Sequence, residues 1–250
     1  MNEPQLVAAL RSAGCVYAED EARLILDEAT STAEVMAWAA RRMAGEPLEQ
    51  IVGWAEFAGQ RIAVEPGVFV PRLRSRLVVE VAAREPADLV VDLCCGTGAL
   101  GAALASRWPE AEVHAADSDP AAVACARRNL PPGRVHQGDL YDALPDDLRG
   151  RVDLFVVNAP YVPTDSIATM PREAREHEHR VALDGGEDGL DVQRRVASGA
   201  REWLRPGGRL VLETGRAQAE RTVSLLRAAG LTSSVETDDD IGGTAVLSRT

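Results

Sequence analysis

Apolar residues recur on one face of the opening stretch at Leu6, Val7 and Leu10. Leu24 and Ile25 share another face with Glu21 and Glu28 turned outward, and residues 32–43 continue the spacing. This near-3.6 period predicts helices over the first 45 residues, with Gly45 and Pro47 as the stop. Between 51 and 64 the pattern changes to alternation around Gly53 and Gly59, which predicts a short β-hairpin. The segment Val68-Phe69-Val70-Pro71-Arg72 then leads into a predicted helix over 73–84.

Beyond residue 87 the rhythm becomes strand, helix, strand. Apolar runs at 89–93, 113–116, 134–137 and 152–157 predict strands, the last uninterrupted except for Asp153. Helical spacing occupies 100–108 and 120–129, and after a long loop 190–203 and 217–229. Strands at 209–213, 233–237 and 244–248 complete the pattern, with a turn expected at Pro206-Gly207-Gly208. Continuous apolar strands alternating with helices indicate a parallel sheet covered on both faces, the doubly wound, Rossmann-like α/β class. The expected organisation is a helical unit over 1–50, a hairpin linker over 51–72 and the α/β unit over 73–250.

The first strand of that sheet ends in Asp92-Leu93-Cys94-Cys95-Gly96-Thr97-Gly98-Ala99-Leu100-Gly101. Glycines at a strand-to-helix turn let the backbone approach a ligand, and free amides at the helix start favour a negative group. Asp117 closes the next strand, 19 residues after Gly98, where nucleotide-binding sheets hold ribose hydroxyls. Gly96, Gly98 and Gly101 fit GxGxxG, which suits a dinucleotide, S-adenosylmethionine or a loop that merely packs. Asp139, just past the third strand and placed to hold an adenine amino group, favours S-adenosylmethionine. Cys94 and Cys95 read as small packed loop residues, for adjacent thiols with no neighbouring histidine make a poor metal site.

The fourth strand ends in Asn158-Ala159-Pro160-Tyr161-Val162-Pro163. Ligands of open parallel sheets bind beyond the carboxyl ends of the strands, so Asn158 is expected beside the cofactor. An amide nitrogen is a weak nucleophile because its lone pair is delocalised. Acceptors that grip its N–H groups and aim it at a methyl donor are what such a reaction needs. Asn158 Oδ1 and the Ala159 carbonyl supply two acceptors, Pro160 stiffens the turn, and Tyr161 offers a ring to a planar amide. The plain alternative is a turn after a buried strand.

Lys and Arg number 27 against 39 Asp and Glu, a net charge of −12. That balance disfavours duplex DNA or an anionic membrane as partner, since both are bound through basic residues. The absence of a long apolar run and of a basic, apolar start predicts neither a membrane span nor a secretory signal. Four cysteines without CxxC spacing fit a reducing cytoplasm rather than a disulfide framework or zinc site. His177 and His179 lie in a run of alternating charge that reads as a solvated mobile loop.

Taken in order along the chain, these segments resemble the HemK/PrmC family of protein-(glutamine-N5) methyltransferases. The match runs through Gly45-Glu46-Pro47, Phe57-Ala58-Gly59, Pro71-Arg72, the glycine loop and Asn158-Ala159-Pro160-Tyr161. It continues through Val181 to Leu190, Arg205-Pro206-Gly207-Gly208, and Leu212-Glu213 followed by Gln218. The resemblance implies a class I methyltransferase sheet with a final antiparallel strand and N-terminal helices that help bind a protein substrate. It implies S-adenosylmethionine held by Asp92, Cys94, Cys95, Gly96, Gly98, Asp117, Asp139, Leu140 and Asn158. Asn158 to Tyr161 would hold the glutamine side chain, and Arg72, following Pro71 at the entry segment, is a candidate to orient either the substrate or the cofactor carboxylate. Three departures stand out: Cys94 replaces the first loop glycine, Ala159 replaces a proline, and Leu73-Arg74-Ser75 stands where the family has Glu-Thr after Pro-Arg. The competing expectations are N-methylation of a small molecule or nucleobase amine, and a cofactor-binding module with weakened chemistry.

Overall fold

The computed structural model describes residues 2–250. Helices α1 (Glu3–Ser12), α2 (Ala18–Glu28) and α3 (Thr32–Met43) start at the places the sequence marks. Asn2 closes a capping box with Gln5, and Ser31 accepts from the Glu34 amide. Leu6, Leu10, Ala22, Ile25, Val35 and Ala39 form a small core of their own. Gly45 and Pro47 do end α3, yet a further short helix α4 (Leu48–Val52) follows, closed by Gly53 in the left-handed conformation. Leu48 and Ile51 bury on one side of that turn, which repays the extra helix. The hairpin β1 (Trp54–Phe57) and β2 (Gln60–Ala63) pairs antiparallel as expected.

Helix α5 (Arg76–Ala82) continues directly from a 3₁₀ turn over Leu73–Ser75, so the expected helix over 73–84 forms with a tighter first turn and ends two residues early. Strand β3 (Leu89–Leu93), α6 (Ala99–Arg107), β4 (Glu112–Asp117), α7 (Pro120–Asn129), β5 (Val135–Gln137) and β6 (Val152–Val157) then alternate. After α8 (Arg172–His177) come α9 (Asp191–Trp203), β7 (Leu204–Glu213), α10 (Ala219–Ala228), β8 (Thr232–Asp238) and β9 (Gly243–Arg249). The Pro206-Gly207-Gly208 turn is an irregularity inside β7, where the register against β6 shifts between Val152 and Leu154.

The seven strands lie in the order β5-β4-β3-β6-β7-β9-β8, all parallel except β9, which is antiparallel to both neighbours. Val90, Leu154 and Val156 pack under α5, α6 and α7. Val91, Leu93, Phe155 and Val157 pack on the other side under α9 and α10. Successive side chains thus enter opposite cores, which is why these runs are apolar at every position. Asp153, the polar exception, accepts from the Asp88 and Leu89 amides at 3.0 and 2.8 Å and pairs with Arg205, fastening the start of β3 to β6. Among the described residues no helix is long and apolar enough to cross a membrane.

Candidate active site

Strand β3 has β4 on one side and β6 on the other, and the connections leave it in opposite directions. At such a switch point a crevice opens beyond the carboxyl ends of the strands. Here it is an open cavity walled by the loop after β3, the ends of β4 and β6, and the segments before α5 and around Leu183.

In the loop after β3, Cys94 and Gly96 both have positive φ, 58° and 54°. The reversal turns the chain sharply, and a Cβ on Gly96 would meet nothing within 4 Å, so its backbone faces open cavity. Asp117 Oδ2 accepts from the Gly96 amide at 2.9 Å while Oδ1 accepts from the Asp119 amide at 2.9 Å. Burial pushes the Asp117 carboxyl up, and the two amides oppose this. Asp119 and Asp139 share the same side of the cavity. Burial, reinforced by Asp117 and Asp92, holds the Cys94 thiol well above its usual range, so it is a neutral wall residue. This side offers free backbone and an acidic lining, which suits a ligand that carries hydroxyls and a positive charge.

Asn158 leaves the end of β6 half-buried, and its Nδ2 donates to the buried Ser75 Oγ at 3.3 Å. That contact orients the amide and leaves Oδ1 as an acceptor. Tyr161 Oη donates to Glu213 Oε1 and accepts from Arg74 Nε, both at 3.1 Å. Burial, then the Glu213 charge, pushes the Tyr161 hydroxyl up to about 12, so it remains a neutral donor.

The loop over 181–190 clamps this turn from outside. Val162 donates to the Leu183 carbonyl at 3.1 Å, Gly185 donates back to Val162 at 2.9 Å, and Gln218 Nε2 donates to the Tyr161 carbonyl at 3.0 Å. A Cβ on Gly185 would lie 2.8 Å from both Pro160 O and Tyr161 Cα. Gly185→Ala is therefore expected to displace the turn and reduce kcat by about a hundredfold, the scale of an ångström misplacement. Steady-state kinetics beside a circular dichroism melt would separate this from global unfolding.

The cavity brings together Cys94, Cys95, Gly96, Asp117, Asp139, Leu140 and Asn158 to Tyr161. Asp92, Gly98 and Arg72 are not part of its wall. Asp92 is fully buried behind the loop, where Oδ2 accepts from the Gly101 amide at 2.8 Å. Gly98, with φ 75°, packs against Ala126 and Leu130 at the start of α6. Arg72 lies over the Phe69 ring and pairs with the buried Glu178 instead of reaching the cavity. The run around His177 and His179 is folded rather than loose. Glu178 also accepts from the Val70 amide at 3.1 Å, Gln50 donates to the His177 carbonyl at 3.0 Å, and His179 meets Asp119 at 2.6 Å.

Ser75, Arg74 and Glu213 were not singled out as site residues from sequence. Glu213 carried a usable signal, an acid closing the apolar strand Leu210-Val211-Leu212 at the ligand end of the sheet. Ser75 and Arg74 stood out only as part of the departure Leu73-Arg74-Ser75, and nothing local marks them as reaching residues 83 and 139 positions away.

The methyltransferase small domain family matches residues 60–176. A release factor glutamine methyltransferase from Geobacter sulfurreducens is 41% identical over 197 residues, covering 76% of this chain and 68% of the relative. A 4-amino-L-phenylalanine/4-methylamino-L-phenylalanine methyltransferase from Streptomyces pristinaespiralis is 41% identical over 201 residues, covering 76% and 68%. The crystal structure of a methyltransferase from Pyrococcus furiosus shares the fold, with a TM-score of 0.59 at 17% identity over 84% of this chain and 96% of that one. With its crevice at the β3 switch point and its Asn158–Tyr161 turn, the chain belongs to the release-factor glutamine methyltransferase family, HemK/PrmC.

Proposed function

We propose that this enzyme transfers a methyl group from S-adenosylmethionine to the side-chain amide nitrogen of a glutamine in a protein. The observation that carries the reading is the Asn158 turn. Asn158 Oδ1 is left free by the Ser75 contact, and no described residue donates to the Ala159 carbonyl. Two unoccupied acceptors side by side suit the two N–H groups of a primary amide.

The cofactor fits the acidic side of the cavity. Asp117 would accept from its ribose hydroxyls, the open Gly96 backbone would face its methionine part, and Asp139 with Leu140 would border its adenine. When bound, the cofactor supplies an electrophilic methyl on a sulfonium. Asn158 and the Ala159 carbonyl fix the acceptor amide, and their pull on its N–H groups raises the density on nitrogen. Methyl transfer to the held nitrogen would leave S-adenosylhomocysteine, and the alkylated, now acidic nitrogen would release its proton to water. No strong base is needed beforehand, which agrees with Tyr161 being held neutral.

Asp117→Ala is expected to weaken S-adenosylmethionine binding by about 10- to 100-fold, the scale of charge-assisted hydrogen bonds. Calorimetric titration reads this directly, and unchanged affinity would remove Asp117 from the cofactor site. The substrate reading is tested by incubating the enzyme with labelled cofactor and release-factor protein, then locating the methyl group by mass spectrometry. A label on an amine or a carboxylate instead of a glutamine amide would overturn it. The similarity to the Streptomyces pristinaespiralis enzyme supports a second reading, a free aromatic amine as acceptor. An arylamine in the same assay distinguishes the two.

A further inference from the structure

Arg74 stands on the acceptor side of the cavity with most of its donors unused. Its Nε is shared between Tyr161 Oη at 3.1 Å and Glu213 Oε1 at 3.2 Å. No described residue accepts from either terminal nitrogen, and the side chain is 41% exposed where it lines the cavity. An arginine present only to neutralise Glu213 would turn its fork toward that carboxylate. Here only Nε touches it, and Glu213 Oε2 has no partner.

The location separates Arg74 from the cofactor. Its anchor, Glu213, ends β7, two strands beyond β3 and so roughly 10 Å from the glycine loop at ordinary strand spacing. The acids Asp117, Asp119 and Asp139 border the opposite side. Arg74 and Arg195 are the cations in the wall, and Arg195 is occupied by Asp139 at 2.7 Å. Among the described residues the acceptor side therefore carries one available positive group, adjoining the tyrosine of the substrate turn. A planar guanidinium with two free terminal nitrogens matches a carboxylate bidentately. The residue also lies in Leu73-Arg74-Ser75, the segment that departs from the Glu-Thr of the resembling family.

We propose that Arg74 recognises a carboxylate carried by the acceptor substrate close to the nitrogen that is methylated. This rests on the methyl-transfer reading of the cavity and narrows its substrate class. The carboxylate has two sources, the backbone carboxylate of a free amino acid or an acidic side chain beside the target glutamine in a protein.

The test titrates matched probes into the full chain saturated with S-adenosylhomocysteine. One pair is L-glutamine and L-glutaminamide, and the other is the capped peptides Gly-Gln-Asp and Gly-Gln-Asn. In one pair the carboxylate form is expected to bind about tenfold tighter or more, and that pair identifies the source. Arg74→Gln should abolish the preference, Arg74→Lys should keep part of it, and neither should change S-adenosylhomocysteine affinity. Equal binding within both pairs, or no binding by any probe, overturns the proposal in the wild-type protein alone, whatever the variants do. Loss of S-adenosylhomocysteine affinity in Arg74→Gln also overturns it, since the residue would then serve the cofactor. Methyl transfer to the probes is scored separately. A carboxylate preference without methylated amide would leave Arg74 in its role and remove glutamine as the acceptor.

Discussion

Replacing Asn158 with alanine is expected to reduce turnover by about a hundredfold to a thousandfold, the usual loss when one preorganised polar group is removed from a reacting centre. S-adenosylmethionine affinity should fall far less than turnover, because the acidic side of the cavity, with Asp117 and the Gly96 backbone, is untouched. The loss follows from geometry. The Ser75 hydroxyl takes one end of the Asn158 amide and so commits the other to accepting. Without Oδ1 the acceptor amide keeps one anchor and rotates, and its nitrogen leaves the line of attack. Single-turnover kinetics with cofactor titration checks this. A variant that binds cofactor and turns over at the wild-type rate would remove Asn158 from catalysis.

Asp153→Ala should destabilise the fold by about 2–4 kcal/mol, because each stranded donor costs ~1–3 kcal/mol. The Leu89 amide is left buried without an acceptor, and the Asp88 amide partly so. Arg205 is half exposed and regains water, so its lost ion pair adds little. For a chain of this size the melting temperature should fall by roughly 5–12 °C. The same residue gives the protein an acid limit. Burial alone would raise the Asp153 carboxyl, but Arg205 and the two amides outweigh it and hold the group below its usual value. A carboxyl depressed in the fold contributes stability above its unfolded value, about 3.9, and loses it as pH falls through the folded one. The gap between the melts of wild type and Asp153→Ala, full at neutral pH, should therefore narrow as pH falls below ~3.9. A gap that stayed constant with pH would show that the pair does not act through ionisation.

The departures at Cys94 and Ala159 do not dismantle the site. Cys94 takes the positive φ that a glycine would adopt freely, at a cost of roughly 1–2 kcal/mol. Ala159 is 1% exposed and keeps its carbonyl unpaired, so the acceptor survives the loss of a proline ring. The rigidity that ring would supply comes from outside the turn, through Gly185 against Pro160 and Tyr161 and through Gln218.

Much of this protein is determined by the sequence itself, wherever the determining residues are neighbours along the chain. The strands are legible because a strand buried on both faces must be apolar at each step, as in Leu89 to Val91 and Leu154 to Val157. The glycine loop, Asp117 and the Asn158 turn are legible because each lies at a strand end, and strand ends are where a parallel sheet opens. Tertiary structure alone decided what surrounds them. Arg72, expected at the site, is drawn away by Glu178 from 106 positions later. Arg74, two residues on, enters the cavity because Glu213 ends the strand beside β6. Charge runs such as the one around His177 look solvated until Gln50 and Val70 arrive to pair with them. Partners that meet only when the sheet closes leave no periodicity behind, since hydrogen bonds and ion pairs depend on proximity in space and not on spacing in the chain.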